Sequence, residues 1–318
     1  MQYHQEQLAL GSIAQISLVA HHNRVIETKD ILSDLWRQIF TFERQFSRFL
    51  PQSELSIFNR NAGSKQLISS EFRKLLTSTK KIALSVDGLY NPFILPALQA
   101  AGYGASLVKG HQHDAYDDYS NRHVVNVDQL VIGYNWAKIP EDTAIDLGGC
   151  GKGYLADQLA EIVESKVKGY WISLGGDVVF GGLSDSLQPW RIAIQRAKSE
   201  TDSKDIGWVS LTSQKRCAVA TSGTTGRFGT KQGKLWHHII NPYTLQPSEA
   251  DVLTATLCSK SAFKADVLAS CAVILGSKSA IKFLKHQQIS SALLQCRSNS
   301  KGDYNVHYGN AIHLDEQT

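Results

Sequence analysis

Between Asp146 and Tyr154 the chain reads Asp-Leu-Gly-Gly-Cys-Gly-Lys-Gly-Tyr, so that Gly148, Gly149, Gly151 and Gly153 surround one cation, Lys152. Ala144 and Ile145 close an apolar approach that predicts a strand. From Tyr154 onward Leu155, Leu159, Ile162 and Val163 recur at helical spacing. Strand, glycine turn with a lysine, then helix start is a construction suited to anions. Glycine lets a ligand approach the backbone, the first amides of a helix have no partner within it, and lysine adds charge. A phosphate or pyrophosphate is the ligand such a turn would take. No Ser or Thr follows Lys152, which excludes the Walker pattern, and Gly149 to Tyr154 lacks the third glycine of the dinucleotide fingerprint. Standing alone, such a turn more often serves as a tight connection.

A second group lies in Ala265-Asp266-Val267-Leu268-Ala269-Ser270, where Asp266 and Ser270 fall at i and i+4 of a predicted helix and share one face. Val267 and Leu268 are expected to turn toward the core. A carboxylate and a hydroxyl one turn apart form two legs of a hard-cation site, and magnesium suits such oxygens and bridges readily to a substrate phosphate. A helix-start aspartate with a back-bonded hydroxyl is the equally available alternative. Leu174-Gly175-Gly176-Asp177 reads as a hairpin turn with Asp177 as its polar cap. Thr221-Ser222-Gly223-Thr224-Thr225-Gly226 follows an apolar run and is either an ordinary turn or a loop offering hydroxyls and amides to a ligand. In His237-His238-Ile239-Ile240-Asn241-Pro242 neighbouring strand residues point to opposite faces, so at most one histidine can face a given site. Taken together, these groups suggest a nucleotide-pyrophosphate site with metal-assisted phosphoryl chemistry.

The elements that must position them are predicted as follows. A strand opens the fold at 13–20, an amphipathic helix runs over 30–46, and a second helix runs from Ser70 toward Val86, ended by Asp87-Gly88. Pro92 and Pro96 bracket an irregular apolar segment reaching Gly102-Tyr103-Gly104. Residues 105–122 read as a polar surface loop. His111, His113, Asp114, Asp117 and Asp118 within it could be taken for a metal cluster, although nothing there fixes ligand geometry. A strand-rich stretch is expected from His123 to Val131, then strand–turn–strand over 170–182, strands at 190–195 and 206–221 around a polar loop at 197–205, a helix over 262–275 and another from Ser277. With no solenoid repeat and no linker rich in Pro, Gly or Ser, one compact α+β unit is the simplest account.

At 318 residues with a net charge of +4, and with no run of five or more Lys or Arg, the chain offers no footprint for nucleic acid. Five cysteines without a CxxC pair form neither a disulfide framework nor a zinc site by spacing and read mostly as small core residues. No window approaches the length of a membrane span. The first ten residues have neither a basic n-region nor an apolar h-region, so the chain as it stands is expected to be cytoplasmic, and periplasmic if a signal was removed.

At this point the chain resembles the ApbE family of FAD:protein FMN transferases, from about Leu8 to about Gly276 and with motifs in family order. Phe46-Ser47-Arg48-Phe49 with Ser53-Glu54-Leu55-Ser56 resembles "FSRF…SELS", and Asp87 to Pro92 with Gly102-Tyr103-Gly104 resembles "DGxFDP…GFG". Asp146 to Tyr154 resembles "DLGGIAKGY", Leu174 to Asp177 "LGGD", Thr221 to Gly223 "TSG", His237 to Pro242 "HHIIDP", and Asp266 to Ser270 "DALxT". The resemblance implies an α+β fold of mixed sheets with packed helices, T-fold-related. The whole chain is expected to form one such domain, as a single unit or as two intimately packed α/β subdomains.

It also implies a reaction. A Thr or Ser hydroxyl of an acceptor flavoprotein attacks the FMN-side phosphorus of FAD, AMP leaves, and FMN stays bonded as a phosphoester. By that similarity magnesium would sit on Asp266, on Ser270 in place of a family threonine, and on the carbonyl of Gly151. Gly104, Asp146, Lys152, Tyr154, Gly176, Asp177 and Ser222 would lie near FAD, and His238 would accept the proton of the attacking hydroxyl. Asn91 and Asn241 stand where the family usually carries aspartate, and Leu245 where it often has glycine. Two other readings share the site: a magnesium-dependent FAD pyrophosphatase that uses water, and a flavin binder without catalysis, whose support is the two asparagines.

Overall fold

The chain opens on a strand that the hydropathy pattern does not announce. Gln2–Ala9 (β1) is a largely exposed edge strand with no apolar alternation, held by its backbone ladder to Ser12–Val19 (β2), the strand expected at 13–20. The computed structural model describes residues 1–104, 123–197, 205–210, 215–231, 234–298 and 302–315. The expected surface loop at 105–122, with His111, His113, Asp114, Asp117 and Asp118, and most of the polar loop at 197–205 lie outside the described residues.

The elements follow in chain order. After β2 come α1 (Val25–Phe46), α2 (Glu54–Arg60), β3 (Gln66–Leu67), α3 (Ser70–Ser85), α4 (Leu95–Ala101), β4 (Val131–Ile132), β5 (Trp136–Lys138) and α5 (Gly151–Val163). Next are β6 (Gly169–Leu174), β7 (Asp177–Gly182), β8 (Ile192–Gln195), β9 (Asp205–Val209), β10 (Cys217–Gly223), β11 (Phe228–Lys231) and β12 (Lys234–His237). The chain ends with β13 (Ile240–Asn241), β14 (Gln246–Pro247), β15 (Val252–Ser259), α6 (Ala262–Leu275), α7 (Ser277–His286), β16 (Ser291–Cys296), β17 (Tyr304–Tyr308) and β18 (Ile312–Leu314). The fold is α+β, and it divides into two units: residues 1–40, 152–225 and 250–318 form the first, and 41–151 with 226–249 the second.

The first unit is built on an eight-stranded sheet in the order β1-β2-β6-β7-β10-β15-β16-β17, antiparallel throughout. Along β10, Cys217 and Val219 join Val178, Phe180, Cys258 and Leu293 in a core shared with the three-stranded sheet β18-β9-β8, which contributes Ile194, Ile206, Val209 and Ile312. The alternate residues Ala218, Ala220 and Ser222 have the opposite parity, and α6 packs on β10 and β15. Val267 and Leu268 of α6 are buried as expected, and the helix's other buried residues run all round it and include Asp266. All five cysteines are buried and free, and burial pushes the Cys217 thiol up to about 12 and that of Cys296 up to about 11.

Asp251 closes the start of α7. Its carboxylate accepts from the Ser277 amide at 2.8 Å, from the Ser277 hydroxyl at 2.5 Å and from the Tyr304 hydroxyl at 2.7 Å. Partial burial raises its pKa, but these donors together outweigh that effect and hold the carboxyl below its usual value of 3.8. A depressed folded-state pKa gives stability that is present above the unfolded pKa and lost as pH falls through the folded one. Asp251→Asn is therefore expected to cost about 1 kcal/mol at neutral pH. The variant and wild-type melting temperatures should converge as the pH is lowered below the ordinary aspartate range; a gap constant from neutral pH down to acid would refute the charged cap.

In the second unit, α2 and α3 are started by Ser53 and Ser69, whose hydroxyls accept from the Ser56 and Phe72 amides at 3.0 and 3.1 Å. Phe46, Phe58 and Phe72 form its aromatic core, with ring centroids 5.4 and 5.3 Å apart. Three expectations are corrected here. The segment between Pro92 and Gly102 is not irregular: a 3-10 turn over Pro92–Ile94 leads into α4, and proline is tolerated in a first turn where no amide is needed. The stretch from His123 to Val131 is not strand-rich; Asn126 caps a 3-10 turn over Val127–Gln129, and only the short β4 follows. No strand leads into Asp146. Asn59 takes the ladder partner's place, donating to the Ile145 carbonyl and accepting from the Ile145 amide, each at 2.9 Å.

Candidate functional site

In the first unit the side chains of interest gather where α5, α6 and β10 meet. Gly153 is the reason α5 can come so close: a Cβ there would lie 2.6 Å from the Ala262 carbonyl oxygen. Asp157, one turn further along α5, adds to the cap that Ser261 gives α6 through the Lys264 amide at 3.1 Å. Its carboxylate accepts from the Ala262 and Phe263 amides at 2.8 and 3.1 Å and from the Ser261 hydroxyl at 2.6 Å, and it pairs with Arg216 at 2.5 Å. Ser261 caps the Lys264 amide, so Asp157→Ala leaves that bond but frees the Ala262 and Phe263 amides and leaves a largely buried guanidinium without this carboxylate. The expected loss is about 2–4 kcal/mol in chemical denaturation, with Asp157→Asn recovering part of it; an unchanged midpoint would show that α6 is held by packing alone.

Fixed in this way, α6 presents Asp266 and Ser270. Asp266 is 6% exposed, and its Oδ2 accepts from the Gly153 amide of α5's first turn at 3.4 Å, where the helix dipole favours negative charge. Ser270 Oγ lies 2.9 Å from the buried Ser222 Oγ of β10. Lys152 and Tyr154 flank the same turn, the Tyr154 ring lying edge-on to Phe263 at 5.8 Å. Gly175 and Gly176, with φ of +68° and +100°, make the two-residue turn between Leu174 and Asp177, and a Cβ on Gly175 would lie 3.3 Å from the Lys152 stem. Asp177 is buried at the start of β7. Lys152, Gly176, Asp177, Ser222, Asp266 and Ser270 thus all belong to this unit.

Gly104, Asp146, Gly151 and His238 belong to the second unit. Gly151 opens α5, its amide donating to the Leu147 carbonyl at 2.7 Å. Neither it nor Gly148, Gly149 or Gly153 takes a left-handed φ, and close approach requires glycine only at Gly148, where a Cβ would lie 2.9 Å from Asp146 Oδ2, and at Gly153. Asp146 Oδ1 pairs with Arg48 Nε at 2.9 Å and its Oδ2 accepts from the Gly148 amide at 2.9 Å.

The two histidines differ in chemistry. His237 uses both ring nitrogens on the backbone, Nε2 on the Ser248 carbonyl at 2.9 Å and Nδ1 on the Ile239 amide at 3.3 Å. His238 Nδ1 lies 3.3 Å from the Arg227 carbonyl. A carbonyl only accepts, so Nδ1 is the donor in this bond, and in the neutral ring Nε2 is then the acceptor. The ring stands edge-on to Tyr103 at 6.2 Å, and Tyr103 stacks on Trp236 at 6.0 Å. Arg48, Asp157 and Trp236 are the residues that sequence reasoning passed over. Arg48 was visible within the "FSRF" block, but its partners are distant in the chain.

Among the described residues no group of three or more His, Cys, Asp or Glu side chains converges. That donor set still fits magnesium, which keeps much of its water and needs only one or two carboxylates beside substrate phosphates. Asp266 with the hydroxyl of Ser270 supplies oxygens of that kind on a rigid helix.

A sequence profile of the ApbE family matches residues 10–294, and the chain belongs to that family. It is 27% identical over 301 residues to the FAD:protein FMN transferase of Buchnera aphidicola subsp. Baizongia pistaciae, spanning 90% of this chain and 84% of that one. With the Escherichia coli K12 protein of the same name it shares 24% over 271 residues, 83% of this chain and 76% of the other. Among solved structures, the apo flavinyl transferase ApbE of Pseudomonas stutzeri superposes with a TM-score of 0.79 at 20% identity over 98% of this chain and 95% of that one. The flavin transferase ApbE of Vibrio cholerae gives 0.77 at 22%, over 96% and 97%. The protein is a transferase enzyme.

Proposed function

We propose that this chain moves FMN from FAD to a Thr or Ser hydroxyl of an acceptor flavoprotein, with magnesium and with release of AMP. The names of its relatives support the substrate pair. The observation that carries the chemistry is the junction of α5 with α6, where Asp266 meets the first-turn amide of Gly153 and Ser270 meets Ser222. Asp266, Ser270 and the carbonyl of Gly151 would hold the metal, which when bound neutralises the pyrophosphate and stabilises the AMP leaving group. Lys152 adds a positive charge at the same glycine turn. Gly104, Asp146, Lys152, Tyr154, Gly176, Asp177 and Ser222 are assigned to FAD, Asp146 also holding its own turn through Arg48 and the Gly148 amide. His238 Nε2 accepts the proton of the attacking hydroxyl, whose oxygen bonds to the FMN-side phosphorus as the bond to AMP breaks.

The two asparagines no longer favour a binder without catalysis. Asn91 accepts from the Phe93 amide at 3.0 Å and donates to the Val125 carbonyl at 2.8 Å, a donation no carboxylate could make. Asn241 accepts from the Tyr243 amide at 3.0 Å in a turn where Leu245 has φ +56° and donates to the Asn241 carbonyl at 2.8 Å. Both amides build turns.

The test is incubation with FAD, with and without magnesium, and with an acceptor carrying a short Gly- and Thr-containing flavinylation motif. A fluorescent acceptor band on a denaturing gel that requires magnesium and accompanies AMP is the expected result. AMP and free FMN with no labelled acceptor would favour hydrolysis by water, and intact bound FAD would refute both.

A further inference from the structure

We infer that Arg48 is a positioning residue for the transfer step, setting the orientation of the Tyr103, Trp236 and His238 wall and of the glycine turn at Asp146 as one construction. Its kinetic consequence rests on the transferase reading above. The Arg48 side chain, 8% exposed, uses the edge and the face of its guanidinium at once. Nε pairs with Asp146 Oδ1 at 2.9 Å, and Nη2 donates to the Tyr103 carbonyl at 3.1 Å. Its central carbon stands 4.2 Å from the Phe49 ring centroid and 4.7 Å from that of Tyr103. The other oxygen of Asp146 holds the Gly148 amide at 2.9 Å, so one buried pair ties the glycine turn to the Tyr103 segment.

From Tyr103 the contacts continue outward. Its ring lies 6.0 Å from Trp236 at an interplanar angle of 29° and 6.2 Å from His238 at 66°. Trp236 is seated against Gly102, where φ is +128° and a Cβ would lie 2.6 Å from the indole nitrogen. Both the backbone carbonyl of Tyr103 and its ring are therefore set by Arg48, and the ring in turn bounds the imidazole. A buried ion pair contributes little net stability over an apolar pair of the same volume, because both charges lose their water. What it does supply is a fixed direction for each group it touches. Only a planar fork can bond Asp146 and the Tyr103 carbonyl while stacking on two rings; lysine keeps the charge and loses that geometry.

The test is Arg48→Lys in the full chain. The expected result is a folded protein whose kcat for FMN transfer falls about 100-fold, as small misplacements of a reacting group do, while KM for FAD stays within about threefold. Acrylamide quenching of the Trp236 emission, taken as the difference between each protein and its Trp236→Phe counterpart, should rise. An unchanged Trp236 signal, an unchanged kcat, or a loss confined to KM for FAD overturns the assignment. Should Arg48→Lys fail to fold, Arg48→Gln is judged by the same criteria, and failure of both to fold assigns Arg48 to stability alone and overturns the proposal. A wild-type protein that labels no acceptor would refute the transferase reading, and the Trp236 signal would then still decide whether Arg48 sets the stack.

Discussion

Asp266→Asn is expected to keep the fold and lower magnesium-dependent FMN transfer by about two to three orders of magnitude, the equivalent of several kcal/mol of lost charge stabilisation. Asparagine is close to aspartate in shape and can still accept from the Gly153 amide, the bond that joins Asp266 to α5 at 3.4 Å. Circular dichroism should therefore be unchanged and melting only slightly shifted. What disappears is the negative charge, the one feature of the pair Asp266 and Ser270 that a hydroxyl cannot replace. AMP release and acceptor labelling should fall together, and excess magnesium should restore part of the loss. A variant that transfers at the wild-type rate would remove Asp266 from the chemistry and leave it as the partner of α5's first turn.

The second large effect is expected at His238. His238→Ala should reduce kcat by about 10²- to 10⁴-fold, the usual contribution of a positioned general base, with little change in KM for FAD. His237→Ala is the control. Its ring joins the Ser248 carbonyl to the Ile239 amide, so its loss should lower stability and leave the rate per folded molecule nearly intact. Equal losses in kcat and FAD affinity for His238→Ala would make that residue a binding element. The same pair of variants would also separate the histidines if their roles were exchanged, since the larger kinetic loss would then follow His237.

Much of the local structure was legible from residue pattern alone. The helices at Ser70 and Ala262, the hairpin over Gly169–Gly182 and the short strand at Ile192 follow from periodicity, Ser caps and paired glycines, all of which act over a few residues. The segments that misled are those whose backbone bonds go to distant side chains. Ile145 has strand character without a strand because Asn59 supplies its ladder, and β1 is a strand without strand character because only its edge is used. The burial of α6 follows from its apolar composition, but the burial of Asp266 could not be read from the pair it makes with Ser270, since a polar pair on a helix is equally compatible with a solvent face.

The sequence by itself determined which residues can do chemistry: a lysine among glycines, a carboxylate and hydroxyl one helical turn apart, two adjacent histidines, and the ordered motifs that resemble the ApbE family. Tertiary structure alone decided how each is used. It brought Asp146 to Arg48 and Gly148, tied α6 to α5 through Asp157, and set His238 Nδ1 against the Arg227 carbonyl. The physical reason is that a side chain's chemical capacity is intrinsic to its type, whereas its protonation, orientation and availability are set by donors and acceptors that only folding brings within 3 Å or so.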